Sequence, residues 1–352
     1  MSTSVDVSWP GSLWPRLAWS MGLLVASLMA IVLVIGVSVG IGDMPIPLST
    51  TYAVITNKLG WTSIDLNRIH ETIIWDYRLS RALVAVFCGA GLALAGAIMQ
   101  SMLRNPLAEP YVLGISAGAS TGAVLIVILG VGAGVVSLSA GAFAGAFAAF
   151  LFVALLSNGA RGGADRTILA GDAASQLFNA ATSYIVTTSG DAQQARDVMF
   201  WLLGSFGGVR WPELTLVSIV VGLGLIACLF YARVLDAFAF GDEAAASLGV
   251  NVGRTRIILF ALTAIITATI VSMVGTIGFV GLVVPHAARF VVGPRHARLL
   301  PACAIAGAIF MVLADIASRT LIPQQSLPIG VVTALVGVPF FSIILYRLQR
   351  AT

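Results

Sequence analysis

Ten long, mostly apolar stretches restrict what this 352-residue chain can fold into more than any motif does. They run over 17–41, 79–103, 111–130, 136–156, 167–188, 212–231, 257–275, 277–293, 299–318 and 328–346. About 20 such residues in a helix cross the roughly 30 Å hydrocarbon layer of a bilayer. In lipid every backbone N–H and C=O must find its partner inside the protein, which leaves helices as the natural form of such stretches. The expected fold is therefore an all-α polytopic membrane protein with about ten transmembrane helices in a single transmembrane domain over 1–352. Composition agrees, with 59% hydrophobic and only 10% charged residues, against roughly a quarter charged in soluble domains. The first run, Leu17 to Ile41, exceeds the 7–15-residue apolar core of a cleavable signal peptide and reads as the first span.

An even number of spans places both termini on one side, and the basic residues choose which. Lys and Arg in short connections are retained in the cytoplasm. With the N-terminus inside, the cytoplasmic set is Arg16, Arg104, Arg161, Arg166, Arg233, Arg254, Arg256, Arg289, Arg295, Arg298, Arg347 and Arg350. The outer set is Lys58, Arg68, Arg78, Arg81, Arg196, Arg210 and Arg319. Twelve against seven puts both termini, including a tail over 1–16, in the cytoplasm. Arginines scattered between spans do not form the clustered basic face that nucleic acid requires. Cys88, Cys228 and Cys303 stand singly inside apolar runs, without metal-ligand spacing.

One connection differs from its surroundings. Residues 232–256, ARVLDAFAFGDEAAASLGVNVGRTR, are polar and charged between continuously apolar neighbours. Good helix formers from Ala244 to Leu248, bracketed by Gly241 and Gly249, predict a short helix outside the membrane. It is either a docking element or an ordinary solvated loop. The phosphate-binding pattern G-x-x-x-x-G-K-[ST] is missing, since the chain's lone lysine, Lys58, sits in ITNKLG. No series of Asp, Glu and His runs through the spans as a proton or sodium relay would. Uphill transport by such a chain draws its energy from a docked partner, with no cofactor on this chain.

Further residues stand out against the apolar background. Arg78 and Arg81 in RLSR share one helix face at the mouth of the second span, suited either to a soluble partner's carboxylates or to snorkelling. Asp315 and Arg319, four apart, are placed to pair. Between Ser101 and Ser120, Pro106 and Pro110 interrupt the helical pattern; non-helical backbone at membrane depth is tolerated where it is buried in protein or lines a cavity. That makes Asn105 and Leu107 candidates for the inner mouth of a pathway, a plain turn being the alternative. Asp172, Gln176 and Asn179 form a polar stripe on the fifth span. It either lines a cavity or pairs with Arg166 near the interface. His286 in GLVVPHAARF has no second metal ligand nearby and reads as a hydrogen-bonded residue at a helix end. The small-residue runs GAGLALAGA (Gly89–Ala97) and GAFAGAFAA (Gly141–Ala149) call for close helix packing. Finally, Arg78 and Arg81 lead into one apolar run from outside while Arg254 and Arg256 lead into another from inside, a faint sign of an inverted repeat.

Taken together, RLSR, GAIMQSMLRNPLAEPYVLGISAGAS, FWLLGSFGGVRW, GDEAAASLGV, GFVGLVVPHAARF and LPIGVVTALVGVPFF resemble the FecCD family of permeases, the membrane subunits of type II ABC importers for iron–siderophore complexes, haem and vitamin B12. The resemblance covers about Trp75 to Arg350. It implies a vitamin B12 importer-like fold, a homodimer with the substrate pathway between the two copies, a cytoplasmic ATPase dimer holding ATP and Mg below and a periplasmic substrate-binding protein above. By matching position, Phe240, Gly241, Asp242, Glu243, Ala246, Leu248 and Gly249 become the ATPase-coupling element. Arg78, Arg81 and Arg319 become partners for glutamates of the binding protein. Asn105, Leu107, Ala164 and Asp165 fall at the cytoplasmic gate, although the family often carries small hydroxyl residues at the last two. Ile168, Asp172, Gln176 and Asn179 line the pathway, with Asp172 standing where the family usually has an apolar residue. The function so implied is translocation of an iron complex, siderophore or haem, across the bacterial cytoplasmic membrane; cobalamin is the alternative cargo, and a secondary transporter or channel the reading from another class.

Overall fold

The computed structural model describes residues 13–42, 44–132, 135–157, 163–322 and 325–349. Most of the tail expected over 1–16, and both Arg161 and Arg350, lie outside them. The described helices are α1 (Leu13–Gly40), α2 (Leu48–Lys58), α3 (Arg68–Thr72), α4 (Ser80–Met102), α5 (Ile115–Val127), α6 (Leu138–Leu156), α7 (Ala164–Ser189), α8 (Ala192–Leu202), α9 (Trp211–Phe230), α10 (Ala232–Phe238), α11 (Asp242–Ser247), α12 (Val252–Val274), α13 (Val280–Val292), α14 (His296–Thr320) and α15 (Ile329–Gln349). Among the described residues there is no strand. Each of the ten apolar stretches carries one long helix, and the other five helices fill connections. A π-helical turn over Ile73–Leu79 joins α3 to α4, so that one 35-residue rod from Arg68 to Met102 replaces the shorter span read from hydropathy.

The ten long helices divide into two sets of five. In each set the third member, α5 or α13, is 13 residues long, about 20 Å at 1.5 Å per residue, too short to cross the hydrocarbon alone. The segments leading into these two helices, a 3-10 turn over Pro110–Leu113 before α5 and an irregular stretch over 275–279 before α13, meet in the protein. The Tyr111 hydroxyl donates to the Ile277 carbonyl at 3.0 Å and accepts from the Ile277 amide at 3.1 Å, and the Phe279 amide donates to the Glu109 carboxylate at 3.0 Å. Gly114, Gly275 and Phe279 all take positive φ, the break in direction that an unwound entry needs. Interrupted helices at corresponding places in two halves are the mark of an inverted repeat. Packing repeats the pattern: α4 lies against α13 and α14 of the second half, and α12 lies against α5 and α6 of the first. The arginine pairs at 78/81 and 254/256 enter the second long helix of each half.

Small residues make these crossings possible. A Cβ on Gly89 would lie 2.1 Å from the Gly307 carbonyl oxygen, one on Gly96 1.9 Å from that of Gly281, and one on Gly122 2.1 Å from that of Gly141. Backbone therefore touches backbone at α4–α14, α4–α13 and α5–α6, as lipid-embedded helices allow only where side chains are nearly absent. Both small-residue runs are used in this way.

Candidate functional site

The outward faces of the long helices separate into two kinds. α1 shows Leu28, Met29, Val32 and Leu33; α6 shows Phe143, Phe147, Leu151 and Leu155; α9 shows Leu216, Ile219, Leu223 and Ile226. Such faces suit acyl chains. α7 is different: its 26 residues are not among the helices apolar enough by length and composition to cross a membrane. Asp165, Asp172, Gln176, Asn179, Ser183 and Thr187 are all exposed on it, at spacings that keep them within one helix face. An acid turned to lipid at a helix centre costs about 2.5–3.5 kcal/mol, so this face belongs to water or to another protein surface. The opposite face holds α7 in place: Ala170, Gly171 and Ala174 are buried, and a Cβ on Gly171 would sit 1.6 Å from the Val112 carbonyl oxygen. Ile168 is half-buried against the core. Among the described residues Asp172 and Arg166 form no ion pair, so the Asp172–Arg166 pairing is not what the structure holds.

The 103–114 connection lies where α4 ends. Arg104 adopts φ 48°, and the Asn105 side chain accepts the Leu107 amide at 2.9 Å, which fixes the tip of the loop and leaves Leu107 42% exposed. Ala164 is half-buried and Asp165 exposed in the first turn of α7. Within the single chain, no hydrogen bond or ion pair among the described residues joins Asn105 and Leu107 to Ala164 and Asp165.

On the same end of the molecule stands α11. Gly241 at φ 103° and Gly249 at φ 84° turn the chain into and out of it, conformations that favour glycine. Ala245 is fully buried, and Asp242 is held by the buried Arg256 at 2.6 Å. Everything else points away: Glu243, Ala246 and Gly249 are exposed, with Phe240 at 82% and Leu248 at 74%. Two large apolar side chains lifted from a polar surface around a pinned short helix form an exposed apolar projection, the kind of patch that marks an interaction surface.

Beneath it lies a polar chain that the sequence did not reveal. His296, 4% exposed at the start of α14, places Nδ1 at 2.7 Å and its amide at 2.9 Å from Asp236 Oδ1 on α10. Its Nε2 lies 2.5 Å from the Ser101 hydroxyl in the last turn of α4. Next to it, Arg289 of α13 donates to the Gln100 side chain. The only sequence signal was a histidine following Gly293-Pro294 at a helix start, which looks like any other interfacial residue.

At the opposite end, the three arginines expected to dock a soluble partner turn inward. Arg78, 7% exposed, donates to the Val39 carbonyl at 3.1 Å and the Met44 carbonyl at 2.5 Å. Arg81 and Arg319 both meet the fully buried Asp315, at 2.7 Å and 3.1 Å. Arg319 also donates to Ser38 and the Ile41 carbonyl. Together they tie the end of α1 to α4 and α14, and the i, i+4 pairing of Asp315 with Arg319 is present. The cations that face solvent at this end are Lys58, paired with Glu71 at 2.5 Å, and Arg68 and Arg196. His286 requires a correction: it sits in the middle of α13, its Nε2 has no hydrogen-bond partner within the described chain, and its ring meets Phe290 edge-on at 5.1 Å.

The comparisons with known proteins agree with this arrangement. The model of the FecCD transport family matches residues 28–347. The chain is similar to the cobalamin import system permease protein BtuC of Halobacterium salinarum, 36% identical over 271 residues that cover 77% of this chain and 72% of that protein. It is similar to the hemin transport system permease protein HmuU of Yersinia pestis, 36% identical over 342 residues, 96% and 97% of the two chains. A solved structure assigned as a metal-chelate type ABC transporter in an inward-facing conformation superposes with a TM-score of 0.80 at 29% identity, covering 93% of this chain and 99% of that one. With the interrupted helices, the polar helix face and the matched sequence in agreement, the chain belongs to the FecCD transport family, the membrane-spanning permease subunits of ABC importers.

Proposed function

We propose that this chain forms, with a second copy of itself, the translocation pathway for an iron chelate, siderophore or haem, across the bacterial cytoplasmic membrane, with both termini inside. The polar face of α7 carries the reading: in a pair of chains it would line a water-filled route that no other outward face among α1, α6 and α9 suits. Neutral polar groups such as Gln176 and Asn179 hold a bulky chelate weakly, so that release is not slowed. A separate ATPase dimer would receive Phe240 and Leu248 on either side of α11. A substrate-binding protein would deliver cargo at the end bearing α2 and α8, where Arg78, Arg81 and Arg319 support the rim. Asn105, Leu107, Ala164 and Asp165, set at the other end, would form the gate between the two copies. Cobalamin is the second reading for cargo, favoured by the name of the Halobacterium relative.

The test is reconstitution in proteoliposomes with and without the ATPase and binding protein. Uptake of the cognate chelate is expected only with both partners and ATP, and to be lost with loss of ATPase association in the Phe240→Asp, Leu248→Asp double variant. Uptake without ATPase would sink the reading. Titrating the binding protein with ferric siderophore, haemin and cobalamin separates the cargoes.

A further inference from the structure

We infer that Asp236, His296 and Ser101 are positioning residues that carry movement of the docking element into the gate; this rests on the proposal that α11 receives the ATPase. The three side chains connect three helices in series. Asp236 lies on α10, the helix that runs through Phe240 and Gly241 into α11. Its Oδ1 accepts both the His296 amide at 2.9 Å and the ring Nδ1–H at 2.7 Å. A carboxylate oxygen cannot donate, so Nδ1 carries the hydrogen; on the other side of the ring Nε2 and the Ser101 hydroxyl share a second bond, 2.5 Å apart, with the hydroxyl also 2.9 Å from the Ala97 carbonyl of its own helix. Ser101 is the penultimate residue of α4, four residues before Asn105.

The geometry is directional in a way that apolar packing is not. A rigid imidazole bonded at both nitrogens and at its own backbone amide fixes α10, α14 and α4 in one relation. A shift of α10 by even 1 Å must either break a bond at 2.5–2.9 Å or drag the end of α4 with it. His296 and Ser101 are 4% and 8% exposed, so water does not substitute for the bond between them and these buried groups are costly to leave unpaired, whereas the Asp236 side chain, 37% exposed, reaches solvent. Arg104, just after α4, also lies beside the turn into α11: a Cβ added at Gly241 would stand 3.3 Å from its guanidinium. The loop that follows α4 is stiffened by the Asn105–Leu107 turn, which makes its tip move as a unit.

The experiment uses the full complex of this chain with its ATPase, spin-labelled at Leu107→Cys; the three native cysteines are buried. The probe is ATP with vanadate, and the readout is the Leu107–Leu107 distance between the two copies. The labelled parent is expected to change distance on trapping. Ser101→Ala is expected to keep the ATPase bound but to lower the responding fraction at least fivefold, and Ser101→Thr, which retains the hydroxyl, to restore it. A purely structural role would lower thermal stability in Ser101→Ala without separating ATPase binding from gate response. A full response in Ser101→Ala overturns the relay alone. A parent that never responds, or an ATPase that stays bound in the Phe240→Asp, Leu248→Asp variant, overturns the docking reading and the relay with it.

Discussion

Asp315 has no exposed surface and stands five residues before the end of a long apolar helix, yet two guanidinium groups reach it within 3.1 Å. A carboxylate in that position is stable only because it is compensated, and the same holds in reverse for the arginines. Removing one member of a buried ion pair costs about 3–5 kcal/mol, because the partner is left charged and dry. Asp315→Asn is therefore expected to lower the midpoint of thermal or denaturant unfolding in detergent substantially, without altering ATPase association at the far end. An unchanged midpoint would mean that water already reaches Arg81 and Arg319. The pairing of Asp315 with Arg319 could be read from their spacing, whereas the addition of Arg81, 234 residues away in sequence, could not. Sequence spacing likewise suggested that RLSR offers two arginines to solvent. Arg78 instead faces the end of α1, because the π-helical turn that contains it rotates its side chain toward the Val39 and Met44 carbonyls.

Helix by helix, the existence of all ten long elements was written in hydropathy, and their ends were not. α4 is preceded by α3 and the π-helical turn, twelve residues from Arg68 to Leu79 that continue the rod outward, and α5 starts later than the apolar run because Pro110 and Gly114 unwind its entry. α7 is the element on which the proposed function rests, and its meaning lies in which side chains face out. Single-cysteine variants at Asp172, Gln176, Asn179 and Ser183 are expected to react with a membrane-impermeant thiol reagent, while those at Leu216, Ile219 and Leu223 of α9 are expected to stay at background. Equal, slow labelling of the two sets would place α7 in lipid and remove the pathway. The stripe was visible as an i, i+4, i+7 pattern; that its opposite face is clamped by Gly171 against the 110–113 turn required the fold.

Across the whole molecule the two halves are interlocked, with α4 seated among helices of the second half and α12 among those of the first. Neither half can bury its own second helix. Splitting the chain at Gly207–Gly208, in the exposed connection before α9, is expected to give fragments that are degraded when expressed singly and that co-purify when expressed together. Stable accumulation of either fragment alone would contradict the interlock.

The sequence by itself determined the solvent, the number of long helices, the small-residue faces and the short helix between Gly241 and Gly249, because each of these follows from local hydropathy, propensity and backbone freedom. It also carried the family through motifs that survive as contiguous strings. Only the tertiary structure decided that Arg78, Arg81 and Arg319 support one buried carboxylate and the end of α1, that Glu109 and Tyr111 meet Ile277 and Phe279, and that Ser101, His296 and Asp236 form one chain. Those arrangements join residues from 34 to more than 200 positions apart, and no local pattern encodes which of many polar side chains will share a buried site once helices pack.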